Sequence, residues 1–214
     1  MEERKRNFVL LDFDGVIADS YAVAFETART LCAHITEEEY ARVFEGNVHR
    51  AHDMLMGRPH GPECHHDLDW FEMFVPAFED RALLFPGMRE TIEVLFKEYI
   101  LIIVSSTITS PIRSFLERNH IGRYFSEVMG ADVHTSKVEK MRMIFDTYKT
   151  IADRCVFITD TLGDMREAQE HEMGAIGCSW GFHTHETLEK GIPFRIVDHP
   201  RELPDAVRDY FAHA

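Results

Sequence analysis

The sequence predicts an α/β protein, with a doubly wound, Rossmann-like core on a parallel sheet and a small all-helical domain inserted after the first strand. Three observations carry that expectation. The wholly apolar run Phe8–Leu11, in NFVLLDFDGVIADS, is too short for a helix face and suits a strand buried on both sides. From Phe85-Pro86-Gly87 onward, isoleucine- and valine-rich runs alternate with helical stretches, which is the pattern of successive βα units. Between these regions the chain shows only helical periodicities and one Gly/Pro-rich break. The core is therefore assigned to residues 1–18 and 84–214, and the insert to 19–83.

In order, the chain turns at Gly15, and residues 19–33 read as a helix with Ala22, Phe25 and Cys32 near helical spacing and Asp19 or Ser20 as its cap. T-E-E-E at 36–39 has capping-box spacing, and Tyr40, Val43 and Phe44 form the apolar side of the helix it opens. A third helix is expected over 47–56, ending at the loop GRPHGP, 57–62. A fourth, 67–79, gathers Trp70, Phe71, Phe74, Val75 and Phe78 in a core-forming stripe, and Pro76 should kink or shorten it. In the core, a helix at 88–98 leads to a strand at 99–104. Ser110-Pro111 reads as a cap and first helical position for a helix at 111–119. A strand at 127–129, a helix at 136–150 opened by S-K-V-E, and a strand at Cys155–Thr159 follow. A helix at 164–171, a strand at 174–179, and a last strand and helix within 194–211 complete the chain.

Composition narrows the function. Lys and Arg number 23 against 37 Asp and Glu, a net charge of −14 over 214 residues. That excess disfavours a nucleic-acid backbone or an anionic membrane as partner, so phosphate must be recognised locally if at all. No apolar run approaches a membrane span. Cys32, Cys64, Cys155 and Cys178 are scattered without a CxxC pair, which points to a reduced, cytoplasmic setting. ECHHD at 63–67, with His49, His52 and His60, offers zinc-ligand types but no spaced pair of ligand motifs, so surface histidines are the expected reading.

Three strands end in polar residues: Asp12 with Asp14, Ser105 with Ser106, and Asp160. In a parallel sheet these ends share one side, where open α/β folds bind ligands. Carboxylates gathered there repel, and a hard divalent cation such as Mg2+ relieves the repulsion. A phosphoryl group among them would meet a carboxylate nucleophile, hydroxyl donors and a metal. A lysine remains to be supplied, and Lys137, directly after the cap Ser136, should lie nearer the strand ends than Lys140.

DFDGVIADS at 12–20, IIVSS at 102–106, a lysine near 137 and TDTLGD at 159–164 recur in a fixed order. In these motifs the chain resembles the haloacid dehalogenase superfamily, in its phosphatase branch with a helical cap inserted after the first strand. The resemblance implies a magnesium-dependent phosphoric monoester hydrolase acting on a small phosphorylated metabolite. Asp12 would be the nucleophile that becomes an aspartyl-phosphate. Asp14 would protonate the leaving oxygen and then activate water, Ser105 would hold a phosphoryl oxygen, and Lys137 would neutralise phosphate charge. Asp160 and Asp164 would join Asp12 and Asp14 around the metal. Ser106 and the insert's Arg50 and Arg58 are candidates for substrate binding. Thr159 departs from the pattern, since glycine commonly precedes the third-strand aspartate in the family, and it should crowd the loop without removing a ligand. Dehalogenases lack the equivalent of Asp14, and phosphonoacetaldehyde hydrolases need a cap lysine, whereas residues 19–83 contain none. A phosphomutase of the β-phosphoglucomutase type and a catalytically silent binding module remain alternatives.

Overall fold

The computed structural model describes residues 7–49 and 68–213. Arg50, Arg58, the ECHHD segment and most of the helix expected at 47–56 lie outside the described residues. Eight strands and nine helices appear among the described residues: β1 Phe8–Leu11, β2 Ala18–Asp19, α1 Tyr21–Leu31, α2 Glu37–Val43, α3 Trp70–Arg81, β3 Leu83–Leu84, α4 Met88–Glu98, β4 Ile100–Val104, α5 Thr109–Arg118, β5 Phe125–Met129, α6 Lys137–Tyr148, β6 Cys155–Thr159, α7 Leu162–Gln169, β7 Gly174–Cys178, α8 His185–Glu189, β8 Arg195–Val197 and α9 Leu203–His213.

Six strands form one sheet in the order β5-β4-β1-β6-β7-β8, all parallel. The connections run outward from β1 on one side and then return to its other side, so the strand order reverses beside β1. That is where open α/β sheets form a ligand crevice. The three strands with candidate residues, β4, β1 and β6, are neighbours at that point.

Alternation along these strands builds two cores. Val9, Leu11, Leu101, Ile103, Val156 and Ile158 face one side, with Ile92 of α4, Phe115 of α5 and Val207 of α9. Phe8, Leu10, Ile102, Val104 and Phe157 face the other, against Met141 and Ile144 of α6 and Ala168 of α7. The helices α1, α2 and α3 join the first core: Val23, Tyr40, Phe74 and Phe78 belong to the same buried cluster as Val9 and Leu11. At the root of the insert, Phe13, Phe78 and Phe115 meet ring to ring with centroids 5.3 to 5.7 Å apart.

Several elements differ from the expectation. The segments entering and leaving the insert are a two-stranded antiparallel ribbon, β2 with β3, pairing Ala18 with Leu84 and Asp19 with Leu83. Pro76 does not break α3, because Phe74 and Phe78 on either side of it are buried and Trp70 stacks on Phe74 at 5.7 Å. Tertiary packing there outweighs the lost backbone hydrogen bond. Helix α5 begins two residues early at Thr109, whose N–H and hydroxyl both donate to Asp132 at 2.7 and 2.8 Å. Pro111 falls within the first turn, where a missing N–H costs nothing. The capping box of α2 is complete, with both Thr36–Glu39 bonds made. In S-K-V-E only half forms: Ser136 accepts the Glu139 N–H, while the Glu139 carboxylate turns to Arg142 at 2.9 Å.

Candidate active site

Asp12 extends β1 by one ladder bond, its N–H donating to the Ile158 carbonyl at 2.9 Å. The residue is 6% exposed. Oδ1 accepts the Phe13 N–H at 2.7 Å, and Oδ2 stands 2.8 Å from Lys137 Nζ. The same ammonium reaches Asp164 Oδ2 at 2.6 Å. Lys137 opens α6 and is held there by its own N–H, which donates to Glu167 at 3.1 Å. Lys140 points elsewhere: its ammonium donates to the main-chain carbonyls of Ser105 and Gly130 at 2.5 and 3.4 Å, tying α6 to the end of β4. Lys137 is thus the lysine among the carboxylates.

Asp14 is fixed by two hydroxyls that the sequence did not single out for this purpose. Ser20 and Thr107 each donate to its carboxylate at 2.7 Å. Ser20 occupies the cap position of α1 but makes no cap bond there, because its hydroxyl is spent on Asp14. Ser105 is fully buried, and its oxygen accepts the Thr107 N–H at 3.0 Å, so it shapes the turn that delivers Thr107. Ser106 and Thr107, rather than Ser105, line the cavity with Asp12, Asp14, Lys137 and Asp164. A serine ending a strand announces polarity, not the direction in which its hydroxyl is used.

At the end of β6, Asp160 is fully buried, and its Oδ2 accepts the Phe182 N–H at 2.7 Å. Gly15, at φ +74°, permits this carboxylate its place: a Cβ there would stand 1.9 Å from Asp160 Oδ2. Thr159 does not merely crowd the loop. Its hydroxyl donates to Asp164 at 2.8 Å and accepts the Thr161 N–H at 3.2 Å.

Two carboxylates, Asp12 and Asp164, thus share one ammonium, and Asp160 adds a third negative charge near enough to act on both. Burial raises Asp12 well above the usual carboxylate range even against the pull of Lys137, and burial lifts Asp160 to about 7. Asp164 pays the same burial cost, yet Lys137 and hydrogen bonds from Asp12, Lys137 and Thr159 bring it below the usual range. Burial lowers Lys137, but the Asp12 and Asp164 carboxylates more than offset that, and the net shift is upward. The excess negative charge is what a cation would offset.

The residues fit a divalent cation. Asp160 Oδ1 is buried with no hydrogen-bond partner among the described residues, an orphaned anionic oxygen that burial makes costly. The four-carboxylate set expected from sequence is not what the side chains present. Asp14 is turned to Ser20 and Thr107, and Asp164 to Lys137 and Thr159, so among the described residues no three acidic, His or Cys groups converge on one point. Asp12, though it shares Lys137 with Asp164, stands with Asp160 at the ends of the neighbouring strands β1 and β6, and two such carboxylates suffice for a hard divalent cation that keeps several waters.

The cavity over these groups has a volume of about 670 Å³ and continues towards the insert, where Tyr40, Phe44, Trp70 and Phe74 line it together with Phe182 of the core.

Comparison with known proteins identifies the family. Residues 9–178 match the family described as haloacid dehalogenase-like hydrolase. A phosphoglycolate phosphatase of Pseudomonas fluorescens strain Pf0-1 is 23% identical over 91% of this chain and 77% of its own length. One from Vibrio parahaemolyticus is 22% identical over 97% and 98%. A crystal structure of a hydrolase from Pseudomonas syringae superposes with a TM-score of 0.80 at 16% identity, covering 95% of this chain and 99% of that one. The chain belongs to the haloacid dehalogenase-like hydrolase family, as an enzyme grouped with its phosphatases.

Proposed function

We propose that the protein is a magnesium-dependent phosphomonoester hydrolase that works through an aspartyl-phosphate on Asp12 and acts on a small phosphorylated metabolite in the cytoplasm. The observation that carries this reading is the 2.8 Å approach of Lys137 Nζ to Asp12 Oδ2 at the end of the central strand, inside a cavity shared with Asp14. An ammonium there favours the ionised, nucleophilic carboxylate and meets the charge of an arriving phosphoryl group. Asp12 would attack phosphorus, and the ester oxygen would depart with a proton from Asp14. Burial raises the Asp14 pKa against the lowering effect of the Thr107 and Ser20 hydroxyls, which hold the carboxyl in place. Asp14, now a base, would take a proton from the water that hydrolyses the acyl-phosphate, which restores both carboxyl groups. Ser106 lines the cavity and is the hydroxyl proposed for a phosphoryl oxygen. Asp12 and Asp160 would hold the magnesium ion, which supplies charge neutralisation to the phosphoryl oxygens.

The test is a panel of phosphate monoesters, phosphoglycolate included, assayed with magnesium and after chelation. Turnover should vanish on chelation and return with magnesium. Protein denatured in acid during turnover should carry about one hydroxylamine-labile phosphate per chain, absent in Asp12→Asn. An Asp12→Asn variant retaining a tenth of wild-type turnover would overturn the mechanism.

A further inference from the structure

The insert's half of the cavity says what kind of alcohol leaves. Tyr40, Phe44, Trp70 and Phe74 of the insert, with Phe182 of the core beside them, put flat, apolar faces on it. These rings are already set by one another: Phe44 meets Phe182 edge-on at 4.9 Å, and Trp70 stacks on Phe74 at 5.7 Å. Among the described lining residues Lys137 is the sole Lys or Arg, and it is bridged between Asp12 and Asp164. Glu39 and Asp69 also line the space, with their carboxylates engaged in the caps of α2 and α3. Such a wall leaves apolar surface to be covered.

Among these rings Tyr40 carries a hydroxyl. Tyr40 is 4% exposed, and its hydroxyl has no hydrogen-bond partner among the described residues. Its ring is fixed by Phe25 at 5.4 Å and Phe44 at 5.2 Å, so the hydroxyl cannot turn away. Burial first, and then the nearby Asp14 carboxylate, push its ionisation upward, so at neutral pH it is a donor. A buried phenol without a partner is costly unless a ligand completes it. Its neighbour Asp14 is the group proposed to face the ester oxygen, so the hydroxyl stands on the leaving-group side.

We propose that this cavity selects phosphate monoesters with an aromatic leaving group, seated among the insert's rings, with the Tyr40 hydroxyl hydrogen-bonding the substrate beside the ester oxygen. The proposal rests on the phosphatase reading above and sharpens it to a substrate class. The two-carbon carboxylate of phosphoglycolate would leave these faces wet.

The test compares ethyl, benzyl and 2-naphthylmethyl phosphate with phosphoglycolate on the magnesium-loaded enzyme. The three alcohols are of similar basicity, so differences in kcat/KM report recognition of carbon rather than intrinsic reactivity. Benzyl should exceed ethyl phosphate at least tenfold, with naphthylmethyl no worse than benzyl. Tyr40→Phe, which keeps the ring packing, should lower kcat/KM for benzyl phosphate at least tenfold with an unchanged Tm. A binding readout independent of turnover uses Trp180→Phe protein, whose remaining tryptophan is Trp70 in the cavity wall: benzylphosphonate should quench its emission at concentrations at least tenfold below ethylphosphonate. Equal kcat/KM for ethyl and benzyl, a preference for phosphoglycolate over both, or an indifferent Tyr40→Phe would overturn the proposal while leaving the phosphatase standing. Hydrolysis of no monoester together with selective benzylphosphonate binding would do the reverse.

Discussion

Lys137 and Lys140 lie one helical turn apart, both buried, yet their partners make them different groups. Lys137 faces two carboxylates and is held charged, whereas burial and then the charge of Lys137 depress Lys140 to about 7 while it grips two main-chain carbonyls. Lys137→Ala should therefore cost on the order of 10²-fold or more in kcat, as loss of a preorganised cation does. Lys140→Met should act mainly on the end of β4 and leave a larger residual kcat. A greater kcat loss from Lys140→Met would reverse the assignment. Thr159 offers a second contrast at this scale. From the sequence it is a departure that crowds a loop, but its hydroxyl is bonded both to Asp164 and to the Thr161 N–H. Thr159→Val removes both bonds in a fully buried place and should cost about 1–3 kcal/mol in urea unfolding. Thr159→Ser should recover most of that loss, and an unchanged urea midpoint in the valine variant would show that the hydroxyl carries nothing.

Between elements, the decisive contact is the C-terminal end of α2 against the start of α7. The last carbonyls of a helix lack intrahelical partners. Here the core meets the carbonyls at and just beyond the end of α2: His183 Nε2 lies 2.9 Å from the Ala41 carbonyl, the Gly163 N–H donates to Phe44 at 2.8 Å, and Arg166 donates to Glu45. The other ring nitrogen of His183 accepts the Leu162 N–H at 2.9 Å, which requires a neutral imidazole with its proton on Nε2. Burial lowers the pKa of His183 in agreement with that geometry. The sign follows: the folded state resists a proton that the unfolded chain accepts below about pH 6.5. The stabilisation is complete above that pH and lost as pH falls through the lower, folded value. Unfolding followed from pH 7 to pH 5 should show a steeper loss in wild type than in His183→Gln, and parallel curves would exclude His183 as the cause. None of this was visible in the sequence, where His183 was one of 13 histidines and no helix was expected to follow it. The apolar period of β1, β4 and β6 was readable because burial on both faces writes itself into four or five successive residues. The ribbon of β2 and β3 was not, since two residues carry no period.

Across the molecule, Asp12, Asp160 and Lys137 could be placed from the sequence because each stands directly after a strand or a cap, where local signals fix position. What holds the site together was not legible there, because Ser20, Thr107 and Asn47 meet Asp14 and Glu167 only through contacts 6, 93 and 120 residues apart along the chain. Asn47, just beyond α2, donates to Glu167 at 3.0 Å and to the Thr135 carbonyl at 3.3 Å, so it joins the insert to the segment that positions Lys137. The cavity is walled by both parts, and the relation between them is thus a condition for the site as a whole. Gly163 marks how close they come: a Cβ there would stand 2.3 Å from the Gly46 carbonyl oxygen and 2.7 Å from that of Phe44, both backbone atoms that cannot rotate aside. Gly163→Ala must therefore push α2 off the start of α7 or shift α7 with its Asp164. In the first case benzylphosphonate binding weakens, the insert becomes more open to protease, and the far-UV spectrum of the sheet and helices is kept. In the second, magnesium affinity and kcat fall together with the insert still protected. Either result ties α2 to the chemistry, and turnover, binding and protection all equal to wild type would show that the approach of insert and core at Gly163 has no part in the site.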